Sequence, residues 1–287
     1  MSNIAREEPL TLVAYLYDGT PEGLLTAVFA AYAAHEDPQD IAREQDYQPR
    51  LGQSIRTVDA NPVLAERVER SIRSRCGDDA FEAVLHASLS DDPSAGNVVY
   101  RFIKHALPPG KAEGSRSAQT RKRPPRRSRT LNDLANPAVG QLVQLDRSVM
   151  NERHLMQQFL RFTHLSNGTW FARCNPKANV VPLLMDFFAG RFNDEAFVIY
   201  DENHHVAGIH GSDGWGLAHV DGIEVPEPSD EEGLMQAGWK RFYDAVSIEA
   251  RYHPELRRQF MPKRLWRNIL EVRDEAPGIN RIGSQRP

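Results

Sequence analysis

Four histidines, His204, His205, His210 and His219, fall within sixteen positions. Neutral imidazole is a common transition-metal ligand, so the cluster invites a metal reading. Strand residues two apart share a face, and His205 and His219 on paired strands would meet across a sheet. Yet His204-His205 falls at a turn signal and no His-Glu-x-x-His spacing is present. Ordinary polar faces account for these residues better, and no metal is expected. Gly211-Ser212-Asp213-Gly214 resembles an activated serine only superficially. A nucleophile elbow needs Gly-x-Ser-x-Gly between a strand and a helix, whereas here a strand follows, so a hairpin turn is expected. Neither a Gly-x-Gly-x-x-Gly run nor a Walker-type loop occurs, which removes the standard nucleotide sites. Asp18-Gly19-Thr20 sets a helix N-terminus directly after a strand. Free N–H groups there favour anions, although a turn plus a cap explains the same residues.

The stronger chemical signal is cationic. Lys111, Arg116, Arg121, Lys122, Arg123, Arg126, Arg127 and Arg129 fall in one stretch of Pro, Gly, Ser, Arg and Lys. A flexible polycation of this kind binds any polyanion by counterion release, and arginine pairs phosphate oxygens bidentately. A solvated linker is the plain alternative. Further on, Arg251, Arg257, Arg258, Lys263, Arg264 and Arg267 surround Tyr252, Phe260 and Trp266. Cations interleaved with aromatics suit a groove that tracks a strand while rings stack on bases. The opposing possibility is that the rings are core and the arginines a solvated face.

Composition narrows the class. The chain has 287 residues, 40% hydrophobic and 26% charged, which fits one large domain or two small ones. Two cysteines, Cys76 and Cys174, cannot by themselves hold an iron–sulfur cluster or a four-cysteine zinc site, and give no disulfide framework. No cofactor is expected. The longest apolar stretch is far shorter than a membrane span, and no apolar h-region follows a basic start. A cytoplasmic location and no membrane association are therefore expected. The net charge of −4 is unevenly laid out. Residues 1–108 hold ten Lys and Arg against seventeen Asp and Glu, residues 109–130 eight against one, and residues 131–287 seventeen against twenty-one. A basic strap thus joins two acidic halves, which points to a polyanion partner or an internal clamp.

The elements that must position these groups are legible in part. Leu10–Tyr17 is a short apolar run before Asp18-Gly19, so a buried strand is expected. Thr20 and Pro21 then open a helix, as do Asn61 and Pro62, whose helix runs to Gly77. Helices are also expected from Asp79 to Leu89, from Ser94 to Leu107 and from about Pro137 to His164, with another capped by Asn179. Residues 109–130 lack the apolar content to offset ordering entropy and should form a disordered linker or exposed strap. Thr169–Cys174 is a strand signal, and Ala196–Tyr200, His205–His210 and Trp215–Val220 are spaced as an antiparallel meander. A last long helix from near Asp230 carries Met235, Trp239, Phe242 and Val246 on one stripe, expected to be core. The class is α+β: helices on a mostly antiparallel sheet, with the N-terminal strand joining the C-terminal meander. The segments are then 1–108, the linker 109–130, an α+β module 131–272 and a loose tail 273–287.

Several short motifs recur in order along this framework. They are Tyr17-Asp18-Gly19 with the residues to Leu25, Phe159-Leu160-Arg161-Phe162, Phe197 to Tyr200-Asp201, Trp239-Lys240-Arg241-Phe242-Tyr243-Asp244 and Met261-Pro262 to Trp266. In order and spacing they resemble an uncharacterised bacterial family of DNA metabolism or repair proteins. The resemblance covers most of the chain outside residues 109–130 and the ends. It implies a separately encoded radical SAM protein as partner, and DNA, single- or double-stranded, as ligand. The module from about 137 to 272 also resembles a domain fused to uracil-DNA glycosylases. Where relatives often carry a histidine before Met-Pro, this chain has Phe260. Whether the chain breaks a bond stays open: an accessory that delivers DNA, a DNA-processing enzyme using residues around Asp18, Asp201, Lys240 and Arg241, and a protein-interaction module all fit.

Overall fold

The computed structural model describes residues 12–108, 130–247 and 253–273. They divide into two compact units, Met1–Met150 and Asn151–Pro287.

In the first unit, strand β1 (Leu12–Tyr17) enters helix α1 (Pro21–Ala33) through the expected turn. Thr20 caps α1, its hydroxyl accepting from Gly23 N at 2.9 Å. Asp18 lies against the same turn, and a Cβ on Gly23 would sit 2.1 Å from its Oδ1. Glycine is what lets the carboxylate close over the helix start. The chain returns as β2 (Asp40–Arg43) and then β3 (Gln53–Thr57), both parallel to β1, which occupies the centre of a three-stranded sheet. β1 therefore does not join the C-terminal meander, against expectation. A crossover through α1 brings β2 alongside it, and β3 takes its other edge, so no hydrogen-bonding edge of β1 is left. Helices α2 (Pro62–Cys76), α3 (Asp78–Ser88) and α4 (Ala95–Ala106) follow. Asn61 caps α2 through bonds from Val63 N and Leu64 N. The core gathers Tyr15, Leu24, Ile41, Ile72, Phe102 and Ile103, and also Leu142 and Leu145 from the first part of α5 (Pro137–Phe159). Residues up to Met150 thus pack with the first unit.

The second unit is built on a five-stranded sheet in the order β4-β5-β6-β7-β8. Its strands are β4 (Thr163–His164), β5 (Trp170–Cys174), β6 (Phe197–Asp201), β7 (Val206–Gly211) and β8 (Gly214–His219). β5 and β6 pair in parallel across helix α6 (Val181–Phe192), and the other pairings are antiparallel. The α+β class holds, and Gly211 to Gly214 forms the expected tight hairpin. Asn179 does not cap α6: Val180 occupies that position, and Asn179 Oδ1 is buried without a hydrogen-bond partner. Phe197, Ile199, Leu184 and Met185 are fully enclosed. Helix α7 (Asp230–Val246), the short helix α8 (Pro254–Phe260) and a 3-10 turn, Lys263–Asn268, complete the unit. The α7 stripe is not core. Met235, Trp239, Phe242 and Val246 are 69%, 43%, 55% and 54% exposed.

Candidate functional site

β5 explains how cations and rings come together in the second unit. Its period of two sets Phe171 and Arg173 on one face, with the guanidinium 5.9 Å from the ring centre. Both border an open cleft of about 750 Å³, within the size range of ligand sites. Rings of Phe162, Trp170, Phe192 and Trp239 line it, and so do five arginines: Arg161, Arg173, Arg191, Arg267 and Arg273. Phe162 is the hub of the aromatic packing, 4.6 Å from Phe192, 5.1 Å from Phe188 and 5.9 Å from Phe197. Trp170 lies between His164 and Phe192 in tilted contacts and donates to Glu195 Oε2 at 3.2 Å.

Three of the arginines are held by carboxylates. Glu202 bridges two of them, receiving Arg173 Nη1 at 2.9 Å on one oxygen and Arg267 Nη2 on the other. Arg161 Nη2 meets Glu271 Oε1 at 2.9 Å, and its Nη1 donates to the carbonyls of Gln158 and Leu160. Burial pushes the Glu271 carboxyl upward. The bonds from Arg161 and its own backbone, helped by the Trp239 indole, outweigh burial and leave it below the usual range. Its Oε2 is buried without a donor at hydrogen-bonding geometry. Arg191 and Arg273 form no ion pair among the described residues. Glu232 is the acidic group in the lining, and it is occupied by His164 N and Gln236 Nε2. With Glu202, Glu271 and the Glu195 that accepts from Trp170 included, five arginines face four carboxylates. The surplus is positive, in a site lined with rings.

The family motifs divide between this cleft and its supports. Arg161, Phe162 and Trp239 meet in the lining, beside Arg267 of the basic C-terminal stretch. Asp201 does not: it is fully buried and closes the β6–β7 turn, accepting from Asn203 N at 2.9 Å, His204 N at 3.3 Å and pairing with His204 Nδ1 at 2.6 Å. That turn is what aims Glu202 at Arg173 and Arg267. Tyr200, 6% exposed, is packed in a small apolar cluster with Leu165, Phe171 and Ala207. Arg241 and Phe242 are exposed on α7, and Pro262 precedes the 3-10 turn, its carbonyl accepting from Leu265 N. Tyr17, Asp18 and Gly19 belong to the first unit, where burial raises the Tyr17 phenol to about 12.

Of the basic C-terminal residues, Arg264 is turned inward. Its Nη2 meets Glu152 Oε2 at 2.5 Å, and Glu152 is buried and also accepts from Lys177 N at 3.1 Å. Trp266, 4% exposed, donates to Met261 O and lies beneath Arg257, 4.7 Å away, and Lys263, 5.9 Å away. Its ring is core and not a stacking platform. Arg258 is exposed on α8. Arg121, Lys122, Arg123, Arg126, Arg127 and Arg129 lie outside the described residues, as do Arg251 and Tyr252. Among the histidines, His210 stacks on Phe197 at 4.8 Å, and His205 and His219 do approach across the sheet at 6.1 Å. No group of three or more His, Cys, Asp and Glu side chains converges among the described residues. No described helix is long and apolar enough to cross a membrane.

Arg173, Arg191, Arg273, Glu202, Trp170 and Phe192 were not singled out in the sequence. The alternation Phe171, Arg173 on a strand was the available signal, whereas Arg191 and Arg273 are brought in by tertiary packing.

Among curated proteins none matches this chain. One solved structure to which it is similar is a pGpG-specific phosphodiesterase, PggH, of Vibrio cholerae, at 10% identity over 83% of this chain and all of that one, with a TM-score of 0.32. A likeness that slight carries no functional argument. The family comparison is of another order. Residues 96–271, more than half the chain and all of the cleft lining except Arg273, match a domain of unknown function, DUF4130, and the chain belongs to that family.

Proposed function

We propose that this chain is a nucleic-acid-binding accessory of DNA metabolism and that the cleft of the second unit is its binding surface. The observation that carries the reading is the lining itself, in which five arginines and several rings share one open cleft. Phosphates and bases are the ligand pair that such a lining complements: guanidinium groups pair phosphate oxygens, and rings stack on bases. A noncatalytic role is supported by Asp201, whose carboxylate is engaged in holding a turn. The delivery of nucleic acid to a radical SAM or glycosylase partner, in repair, rests on the motif resemblance. The eight Lys and Arg between residues 109 and 130 add charge that strengthens association at low salt.

Fluorescence anisotropy of labelled DNA tests the reading, with intact protein and a variant lacking residues 111–129, at low and moderate salt. Binding with a steep salt slope that survives the deletion supports a site on the folded unit. No binding by either form overturns it and moves the weight to a protein-interaction role.

A further inference from the structure

We infer that the cleft takes single-stranded nucleic acid, with an unpaired base among the rings of Phe162, Trp170, Phe192 and Trp239. This rests on the nucleic-acid reading above and adds the form of the ligand. Inside a duplex a base turns both faces to its neighbours in the stack. A protein ring can therefore reach a base face only where the base is unstacked or at a strand end. Here the rings line a cleft bordered by β5, α6 and α7, so a base stacks on them by entering the cleft. The cleft is open at its mouth, which lets a chain enter and continue past it.

The arginines are arranged to follow that chain. Glu202 fixes Arg173 and Arg267 side by side, and Glu271 fixes Arg161, so three guanidinium groups are set in place before a ligand arrives. Arg191 and Arg273 carry no ion pair among the described residues, so a phosphate reaches them without displacing any described carboxylate. The ring nearest solvent is Trp239, 43% exposed. Stacking on it is tolerant of sequence, since every base has a π-face. The expected ligand class is thus single-stranded DNA or RNA of no fixed sequence.

The test is competition against labelled oligothymidylate by three unlabelled probes of equal length: oligothymidylate, a duplex, and an abasic strand that keeps the phosphates and lacks the bases. The unlabelled single strand should bind roughly tenfold or more tighter than the abasic strand, which is the magnitude of one stacked base. Trp239→Ala should remove most of that difference. Equal binding of base-bearing and abasic strands, or of duplex and single strand, overturns the inference and leaves the nucleic-acid reading standing. Failure of all three probes to bind overturns both. The comparison among probes uses the unaltered full chain, so it decides the matter even where the variant folds poorly.

Discussion

Arg264 separates a structural arginine from a ligand-binding one, and its removal should be felt in stability and not in affinity. Its guanidinium is the counter-ion of Glu152, whose side chain is 7% exposed, while Arg264 itself is 23% exposed. Breaking a buried pair from one side leaves an uncompensated charge, at a cost of about 3–5 kcal/mol. Partial exposure of the guanidinium and the second bond from Lys177 N put Arg264→Met near the lower end, at about 3 kcal/mol, or roughly 10 °C in Tm for a unit of this size. Replacing both partners by Met removes the orphaned charge. What then remains is the Lys177 N–H without its acceptor and the Asn175 carbonyl without Arg264 Nη1, a loss of about 1–2 kcal/mol, so the double variant should recover about 1–2 of the 3 kcal/mol. Urea denaturation of wild type, both single variants and the double variant supplies the cycle. Nucleic-acid affinity should be unchanged at temperatures where each variant is folded. An Arg264→Met protein within about 0.5 kcal/mol of wild type that loses affinity like any surface cation would refute the reasoning.

Four further outcomes follow from particular contacts. Arg191→Ala and Arg273→Ala should each lower the slope of log affinity against log salt by roughly one, with unchanged melting, as measured by anisotropy titrations. Glu271 has a carboxyl held below its ordinary value of 4.5, so its stabilisation is present above that pH and lost as pH falls through the lower folded value. Glu271→Gln should therefore be less stable than wild type at neutral pH, with the gap closing below pH 4.5 in a series of thermal melts. Burial raises the thiol pKa of Cys76 and raises that of Cys174 well above the ordinary range. Neither should react with Ellman's reagent at mildly alkaline pH until denaturant is added. Gly96→Ala would place a Cβ 2.2 Å from the Ile41 carbonyl oxygen, forcing α4 away from β2. The cost should fall near the top of the overpacking range, about 3 kcal/mol, by urea denaturation.

Most helices could be seen in the sequence because their starts are written in local chemistry. Thr20-Pro21 and Asn61-Pro62 cap and open α1 and α2 as their types dictate. Strands β2 and β3 could not be seen: Asp40–Arg43 and Gln53–Thr57 are short and polar, and β3 is largely exposed, so neither shows a hydrophobic period. Missing them left β1 without neighbours in the first unit and sent it, wrongly, to the meander. The apolar stripe of α7 was visible as a pattern, but a pattern does not say what covers it, and Trp239 and Phe242 proved exposed. Around Trp266, interleaved cations and aromatics suggested a stacking surface at a ring that the fold encloses. The rings that line the cleft come from β5, α6 and α7, segments far apart in sequence, and of these Trp239 is exposed while Trp170 and Phe192 are half-buried. Glu202 shows the same limit: its role depends on a turn closed by Asp201, which sequence marks only as a family motif.

The most direct test of the central claim is photocrosslinking of a 5-iodouracil-bearing oligonucleotide to the full chain, with the adducts mapped by mass spectrometry. Adducts on Trp170, Phe192 or Trp239, abolished by excess unlabelled single strand, are the predicted result. Adducts confined to residues 109–130 or to the first unit, with none on the cleft rings, would contradict the account and place nucleic-acid contact elsewhere on the chain.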